Sequence, residues 1–304
     1  MKFSATIFFL TILCLTGTQT GHVLLAGEPR LEETFTREIP LEPGGSLRLN
    51  NIIGKIEVCG WDKNTVQIKA VKQVRKVFDR FEAQKLMDEM EIKTKKSGDR
   101  VEIETVFPRH IQIDGNDGWL KVLYKMSRFP ESCEGEWLSL AVLYEIKLPR
   151  NTDVNLYTAI GEIEVCDLDG DLEVKSVIGS LDLLRLEGDL RADLSIGEIK
   201  LKQVRGSVTA EAGTGEIKAV FDQVEEGKNI DLSLFLGEIR LTLPPSLAAD
   251  LDISTGFGAL DLDFPTSDIE GKLRKRKIKG KINGGGPQIT VRSSLGQVKI
   301  KELP

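Results

Sequence analysis

The stretch that decides the fold is residues 161–222, which read GEIEVCDLDGDLEVKSVIGSLDLLRLEGDLRADLSIGEIKLKQVRGSVTAEAGTGEIKAVFD. Glycine recurs there every nine residues, and most residues at the third, fifth and eighth positions counted from each glycine are apolar. Apolar residues spaced by two are typical of a β-strand, and glycine lets the backbone change direction at a turn. The turn glycines of the repeat are Gly161, Gly170, Gly179, Gly188, Gly197, Gly206 and Gly215.

Alternate nonamers resemble each other, so the full repeat is about 18 residues long. Nine residues are too few for a helical crossover between parallel strands, which leaves a coil of strands as the arrangement. Coils stacked at about 4.8 Å would align equivalent apolar residues into one continuous core. The sequence therefore predicts an all-β protein, a parallel β-solenoid of about 18-residue, two-strand rungs.

Composition narrows the class of protein. The chain has 304 residues, 40% of them hydrophobic and 29% charged, which suits a folded chain with a sizeable core. The formal net charge is −6, and no lysine-rich domain is present, so we expect no nucleic-acid partner.

Residues 1–26 have the pattern of an export signal. Lys2 precedes an apolar run from Phe3 to Leu15, which is shorter than the roughly 20 residues of a membrane-spanning helix. We expect an exported protein of the periplasm or cell surface, without a stable membrane span after signal cleavage. Retention of the segment as an anchor stays open, whereas Leu13 before Cys14 argues against lipidation.

The rest of the chain divides into three segments. Residues 27–71 carry N-terminal strands and a first rung motif, 72–149 form a cap insertion, and 150–304 hold the solenoid repeats. The insertion has helical spacing of apolar residues from about Arg75 to Met90, followed by a predicted hairpin. We expect this N-terminal cap, with its one helix and hairpin, to cover an open end of the core.

Three rung motifs follow the strict array at longer intervals. They start at Gly237, Gly258 and Gly296, so the solenoid is expected to continue nearly to Pro304.

Two cysteines occupy the same slot of the same rung motif. If the two rungs are neighbours, Cys59 and Cys166 could form a disulfide in an oxidising compartment. Directly opposed positions on parallel strands are poor disulfide geometry, which favours separate thiols. Both states stay open at this stage.

Catalytic motifs are scarce. The two histidines, His22 and His110, supply neither a triad nor a metal cluster, and no phosphate or dinucleotide fingerprint occurs. We therefore expect no enzyme activity, no metal and no cofactor. A glycosidase pair among the many carboxylates is the alternative, but stacking predicts a solvated ladder of neutralising charges instead. Its acidic column would hold Glu162, Glu198 and Glu216 with Ser180 among them, and its basic column Lys200, Lys218 and Arg240.

Two regions offer candidate binding residues. Trp119 and Trp137 lie in the irregular part of the insertion, where they could contact a ligand or pack the insertion onto the cap. Lys275, Arg276 and Lys277 belong to a run of basic residues that could contact an anionic surface or form a soluble exposed loop.

Several motifs together resemble a known family. They are Pro-Gly-Gly-x-Leu-x-Leu-x-Asn from Pro43, Gly-x-Ile-x-Val-x-Gly-Trp-Asp from Gly54, Tyr-x-Ile-x-Leu-Pro from Tyr144, and the tandem rungs. This combination resembles the bacterial putative-adhesin proteins, which are built on an exported β-strand-repeat domain of unknown function. The resemblance implies a β-solenoid at the cell envelope and no catalytic residues.

Taken together, these observations indicate an exported, non-enzymatic β-solenoid that presents a binding surface at the cell envelope, as an adhesin or another surface-interaction protein. Its partner would be an envelope polymer, a glycan or a protein. One alternative is a carbohydrate-active enzyme on a parallel β-coil, although the strict array contains only Phe221 as an aromatic residue. An envelope-stress sensing component is the other.

Overall fold

The computed structural model describes residues 30–75, 77, 79–108, 140–263 and 269–303. The export signal predicted at residues 1–26 and the two tryptophans Trp119 and Trp137 lie outside the described residues.

The described chain consists of strands and one short helix. In chain order these elements are β1 (Arg30–Pro40), β2 (Gly45–Asn50), β3 (Ile56–Trp61), β4 (Thr65–Arg75), α1 (Arg80–Glu89), β5 (Glu91–Ser97), β6 (Arg100–Val106), β7 (Leu140–Pro149), β8 (Thr152–Leu168), β9 (Leu172–Leu186), β10 (Leu190–Val204), β11 (Val208–Val220), β12 (Ile230–Leu243), β13 (Ala249–Phe257), β14 (Leu260–Asp263), β15 (Ile269–Arg274), β16 (Lys277–Ile282) and β17 (Gln288–Glu302).

The predicted β-solenoid is confirmed by the strand pairing. Strands β8 to β12 pair in parallel, each with the next, and every rung glycine lies beside the rung glycine of its neighbour. The inward column that follows these glycines is fully buried, which makes it the centre of one continuous core. Its members are Ile163, Leu181, Ile199, Ile217, Ile239 and Val298.

Each rung is one long strand with a change of direction near its middle. In β10, buried residues alternate with partly or fully exposed ones on both sides of the rung glycine, but the alternation shifts by one residue there. We call the part before that glycine the first face of the solenoid and the part after it the second face. Both faces direct their apolar side chains into the same core.

The seven predicted turn glycines have two different positions. Gly170, Gly188 and Gly206 lie in the links between strands, as expected, whereas Gly161, Gly179, Gly197 and Gly215 lie inside continuous strands. At Gly197 the backbone has φ 141°, and a Cβ atom would collide with the carbonyl oxygen of Gly179. Only glycine allows neighbouring rungs to approach this closely at the bend.

Both ends of the stack depart from chain order. The last strand, β17, pairs with β12 on one side and with β13 and β14 on the other. Likewise β2 and β3 lie between β8 and the pair β6 and β7. The last strand of the chain, β17, therefore lies inside the stack and is covered by the earlier strands β13 and β14. In the same way, β2 and β3 lie inside the stack and are covered by the later strands β6 and β7.

The cap contains the expected helix and hairpin. Strands β5 and β6 form the antiparallel hairpin. The helix begins at Arg80 instead of about Arg75, because β4 continues to Arg75 through its pairing with β1. Asp79 caps the helix by accepting a hydrogen bond from the Phe81 backbone N–H at 2.8 Å.

The helix is fixed to the solenoid by apolar packing and by one lysine. Leu86 and Met87 are buried in the core cluster. Lys72 of β4 is also buried, and its Nζ donates to the carbonyl oxygens of Met87 at 3.4 Å and Met90 at 3.1 Å. Its charge is balanced by Glu33 at 3.0 Å. Within the described ranges, this short helix is too brief and too polar to span a membrane.

Candidate binding surface

The second face carries the charged ladder that the sequence predicts. Glu162, Ser180, Glu198, Glu216 and Glu238 follow one another in register in one column. The basic column lies two residues further along each strand, and it contains Lys200, Lys218, Arg240 and Lys299.

The charges of this ladder neutralise each other between rungs. Lys218 Nζ lies 2.6 Å from a carboxylate oxygen of Glu198 and 3.0 Å from one of Glu216. Lys218, followed by Lys200, lowers the pKa of Glu198. Arg240 and Lys299 lower the pKa of Glu238 to about 2. A glycosidase acid needs a raised pKa, so these two carboxylates are poorly suited to that role.

The first face begins with a column of aspartates that joins successive rungs. The Asp153 carboxylate accepts a hydrogen bond from the Asp171 backbone N–H at 3.0 Å, and Asp171 accepts one from Asp189 at 2.9 Å. Asp189 continues the series with the Ser207 N–H at 2.9 Å, and Lys228 lowers its pKa. These carboxylates therefore link neighbouring rungs by hydrogen bonds, and we call such links inter-rung staples.

No described group of three or more His, Cys, Asp or Glu side chains is arranged to hold a metal ion.

The two candidate cysteines are joined. Cys59 lies opposite Cys166 on the parallel pair β3 and β8, with 4.6 Å between their Cα atoms, and their sulfurs form a disulfide. Cys59 and Cys166 are thus not separate thiols. The close Cα approach at this pair of rungs is compatible with a disulfide despite the parallel arrangement.

The predicted basic residues lie in a hairpin near the C-terminal end of the stack. Lys275 and Arg276 form the turn between β15 and β16, and Lys277 begins β16; all three are exposed. Arg276 Nη1 donates to the carbonyl oxygen of Gly256 at 2.8 Å, and Lys277 lies 3.7 Å from an Asp252 oxygen. Two of the three basic residues, Arg276 and Lys277, are therefore engaged in contacts within the chain.

One feature of the surface was not predicted from the sequence. Of six large hydrophobic side chains that are exposed in the described part of the chain, five lie along the bend between the two faces. The sixth, Phe81, lies on α1 and is 84% exposed. We call the five residues the apolar edge. They are Ile196, Phe235, Leu236, Phe257 and Leu295.

Four of the five members of the apolar edge share a rung position and therefore lie in one row, which Thr214 interrupts between Ile196 and Leu236. Ile196, Leu236, Phe257 and Leu295 each precede a rung glycine, and strand register places Leu295 between Leu236 and Phe257. Phe235 adjoins Leu236 and is 59% exposed, while Phe257 reaches 71%. The apolar residue before each of these rung glycines was the signal from which the edge could have been predicted. In the sequence, however, such a residue cannot be distinguished from the buried apolar residues of the same strand.

A groove of about 840 Å³ runs beside this edge on the first face. Its charged lining residues are Lys175, Arg191, Asp193 and Glu211. Arg191 pairs with Asp193 at 3.3 Å, whereas Glu211 makes no ion pair with any described residue. The groove and the row together form an amphipathic surface that is open to solvent.

Comparisons with known proteins agree with the repeat architecture. A sequence model of the family described as Toastrack DUF4097 matches residues 145–301, which is just over half of the chain. No curated protein matches the chain.

Among solved structures, the chain is similar to a putative cell adhesion protein from Clostridium sporogenes at 16% identity, with 89% of this chain and 100% of that chain covered and a TM-score of 0.37. It is also similar to a putative adhesin from Bacteroides fragilis at 11% identity, with coverage of 89% and 97% and a TM-score of 0.37. On the evidence of its matched repeats, the chain belongs to the Toastrack DUF4097 family.

Proposed function

We propose that this chain is an exported, non-enzymatic β-solenoid that presents a binding surface at the cell envelope, and that the apolar edge is that surface. The observation that carries the proposal is the concentration of exposed large hydrophobic side chains in one row. Soluble proteins rarely expose aligned apolar side chains without an interaction partner. The predicted export signal supports the location.

The charged faces favour the edge over other surfaces as the place of contact. Ion pairs cover the second face, for example Lys218 with Glu198 and Arg240 with Glu238. Exposed charges on strands discourage pairing with other sheets. Apolar contact surface is therefore concentrated at the bend.

The solenoid also provides rigidity. Inter-rung staples such as Asp171 to Asp189 and the Cys59–Cys166 disulfide hold neighbouring rungs in register. A preorganised surface loses little conformational entropy on binding, which favours affinity. The non-enzymatic part of the proposal is supported by the lowered pKa values of Glu198 and Glu238.

Co-sedimentation with purified envelope fragments tests this function. The variant Phe235→Ser/Leu236→Ser removes apolar contacts at the edge, whereas Phe81→Ser removes an even more exposed apolar side chain from the helix. We expect the edge variant to bind envelope fragments about tenfold or more weakly, and the helix variant to bind like the unaltered chain. Equal binding by the edge variant and the unaltered chain would refute the proposal.

A further inference from the structure

We infer that the apolar edge binds a second copy of this chain, with the two solenoids antiparallel and a two-fold axis near Leu236. The inference rests on the proposed function only in taking this edge as an interaction surface. The partner of the apolar edge is then an identical chain, so contact between cells or molecules through this edge would be homophilic.

The order of residues along the edge is compatible with such an axis. Successive rungs present Ile196, Thr214, Leu236, Leu295 and Phe257 in register. A two-fold axis at Leu236 places Ile196 opposite the partner's Phe257 and Thr214 opposite the partner's Leu295. Leu236 then meets its own copy, as an isologous interface requires. Four apolar side chains of the row on each copy become covered.

The charges on the first face fit the same axis. The column beside the edge runs Asp193, Glu211, Ser233, Arg292 and Ser254 in register. With Ser233 near the axis, Glu211 lies opposite the partner's Arg292, and Arg292 opposite the partner's Glu211. Glu211 has no ion pair within the described chain, and Arg292 is 57% exposed beside Asp231. Two intermolecular ion pairs follow from one axis.

A parallel arrangement fits the charges less well. It would bring the first face of one copy against the second face of the other at the same rung. Asp193 would then face the partner's Glu198, and Glu211 the partner's Glu216. Lys218 neutralises Glu198 and Glu216 within each chain, so the parallel arrangement gives Glu211 no new ion pair, whereas the antiparallel arrangement places it opposite the partner's Arg292. The antiparallel arrangement is therefore favoured.

On the second face the antiparallel axis brings like charges together in both columns, namely Glu238 with its own copy, Arg240 with its own copy and Lys218 with the partner's Lys299, and each of these groups is paired within its own chain. The axis also sets Glu216 opposite the partner's Gln297. Arg240 and Lys299 lie 2.9 Å and 2.8 Å from Glu238 and neutralise it within each chain.

The size of the contact sets the expected strength. Five rungs at about 4.8 Å give a contact roughly 20–25 Å long. Such a contact belongs to the small interfaces, below about 1,200 Å² in total, that form weak and reversible complexes. We therefore expect dissociation in the micromolar range.

Sedimentation velocity of the exported full chain tests the inference over a series from about 1 to about 300 µM, which brackets weak dissociation constants. The unaltered chain should shift from monomer to dimer. Glu211→Arg and Arg292→Glu should each weaken dimerisation by about tenfold or more, because each sets like charges opposite one another. The double variant should restore it to within about threefold, since the pairs are reformed in reverse.

Glu226→Arg serves as the charge control, because Glu226 lies in the exposed turn between β11 and β12, away from the edge. It should dimerise like the unaltered chain. A chain that stays monomeric throughout the series, or single variants that dimerise normally, would overturn the inference. So would a monomeric chain that floats with zwitterionic phospholipid vesicles, which would assign the edge to lipid. If the chain is monomeric while Phe235→Ser/Leu236→Ser alone loses envelope binding, the proposed function stands without a homophilic partner.

Discussion

Cys59 of β3 and Cys166 of β8 lie directly opposite each other on neighbouring parallel strands and are joined by a disulfide, although they lie 107 positions apart in sequence. The covalent loop encloses the whole cap insertion. The disulfide thus fixes the first rung to the repeat array and restricts the unfolded chain.

Replacing both cysteines, as Cys59→Ser/Cys166→Ser, should lower the free energy of unfolding by about 2–4 kcal/mol, because a long closed loop gains conformational entropy when released. Urea denaturation of the oxidised chain and of the variant measures the difference. A reducing agent should destabilise the unaltered chain similarly and leave the variant unchanged. Equal urea midpoints for oxidised and reduced protein would contradict this prediction.

Gly197→Ala should destabilise the solenoid far more than Gly227→Ala. Gly227 also has a positive φ, 79°, but a Cβ atom there would meet open space, so about 1–2 kcal/mol of backbone strain is expected. At Gly197 a Cβ would strike the backbone of Gly179, which adds about 1–3 kcal/mol or more of overpacking. Thermal unfolding of the two variants checks the order. Similar losses in both would indicate that the rungs can separate at the bend.

Acid should destabilise the protein through the charged ladder. The pKa of Glu238 is lowered from 4.5 to about 2 by Arg240 and Lys299. A carboxylate with a lowered folded-state pKa contributes stability above its unfolded pKa, and this contribution is lost as the pH falls through the folded value. We therefore expect Glu238→Gln to reduce stability at pH 6 and to have progressively less effect as the pH falls from about 4.5 to about 2.

Urea midpoints of the unaltered chain and Glu238→Gln across this pH range provide the measurement. A difference that stays constant down to about pH 2 would show that the ion pairs do not cause the dependence. Added salt should shrink the difference at pH 6, because the glutamate is partly exposed.

Lys72→Met should loosen the helix α1. The substitution leaves the carbonyl oxygens of Met87 and Met90 without the Lys72 ammonium, and hydrogen bonds to a charged group contribute about 1.5–3 kcal/mol. Hydrogen exchange of the helix amides should become faster.

Lys69→Met is the matched control, because Lys69 lies on the same strand but is exposed and, among the described residues, pairs only with Glu145. Its loss should change stability by less than about 1 kcal/mol. Unchanged exchange in the helix of Lys72→Met would show that apolar packing alone holds α1.

The core of the repeat array was predictable from local patterns. Ile163 and Ile199 are buried as the spacing of two inside each nonamer indicates. The charged ladder was equally predictable from the sequence, since residues at the same position of successive repeats must stack in a column. Both features depend only on which side of a strand a residue faces, and strand periodicity specifies that directly.

Several features of the candidate surface and the ends were decided by long-range pairing. Every Gly-x-Ile-x-Val segment carries the same apolar pattern, so the pattern cannot specify which rung lies beside which. The sequence places Gly258 before Gly296, whereas the fold stacks Gly296 directly on Gly237 and leaves Gly258 outside. The free thiols favoured by general parallel geometry were likewise replaced by a disulfide at one specific pair of rungs.

The sequence by itself therefore determined the solenoid, its repeat length and its inward columns, because these follow from periods of two and nine residues. Tertiary structure decided the order of the terminal rungs and the position of the apolar edge. Leu236, Leu295 and Phe257 form a row only after β17 has inserted between β12 and β13. Burial of a shared core selects that insertion, and no local pattern encodes it.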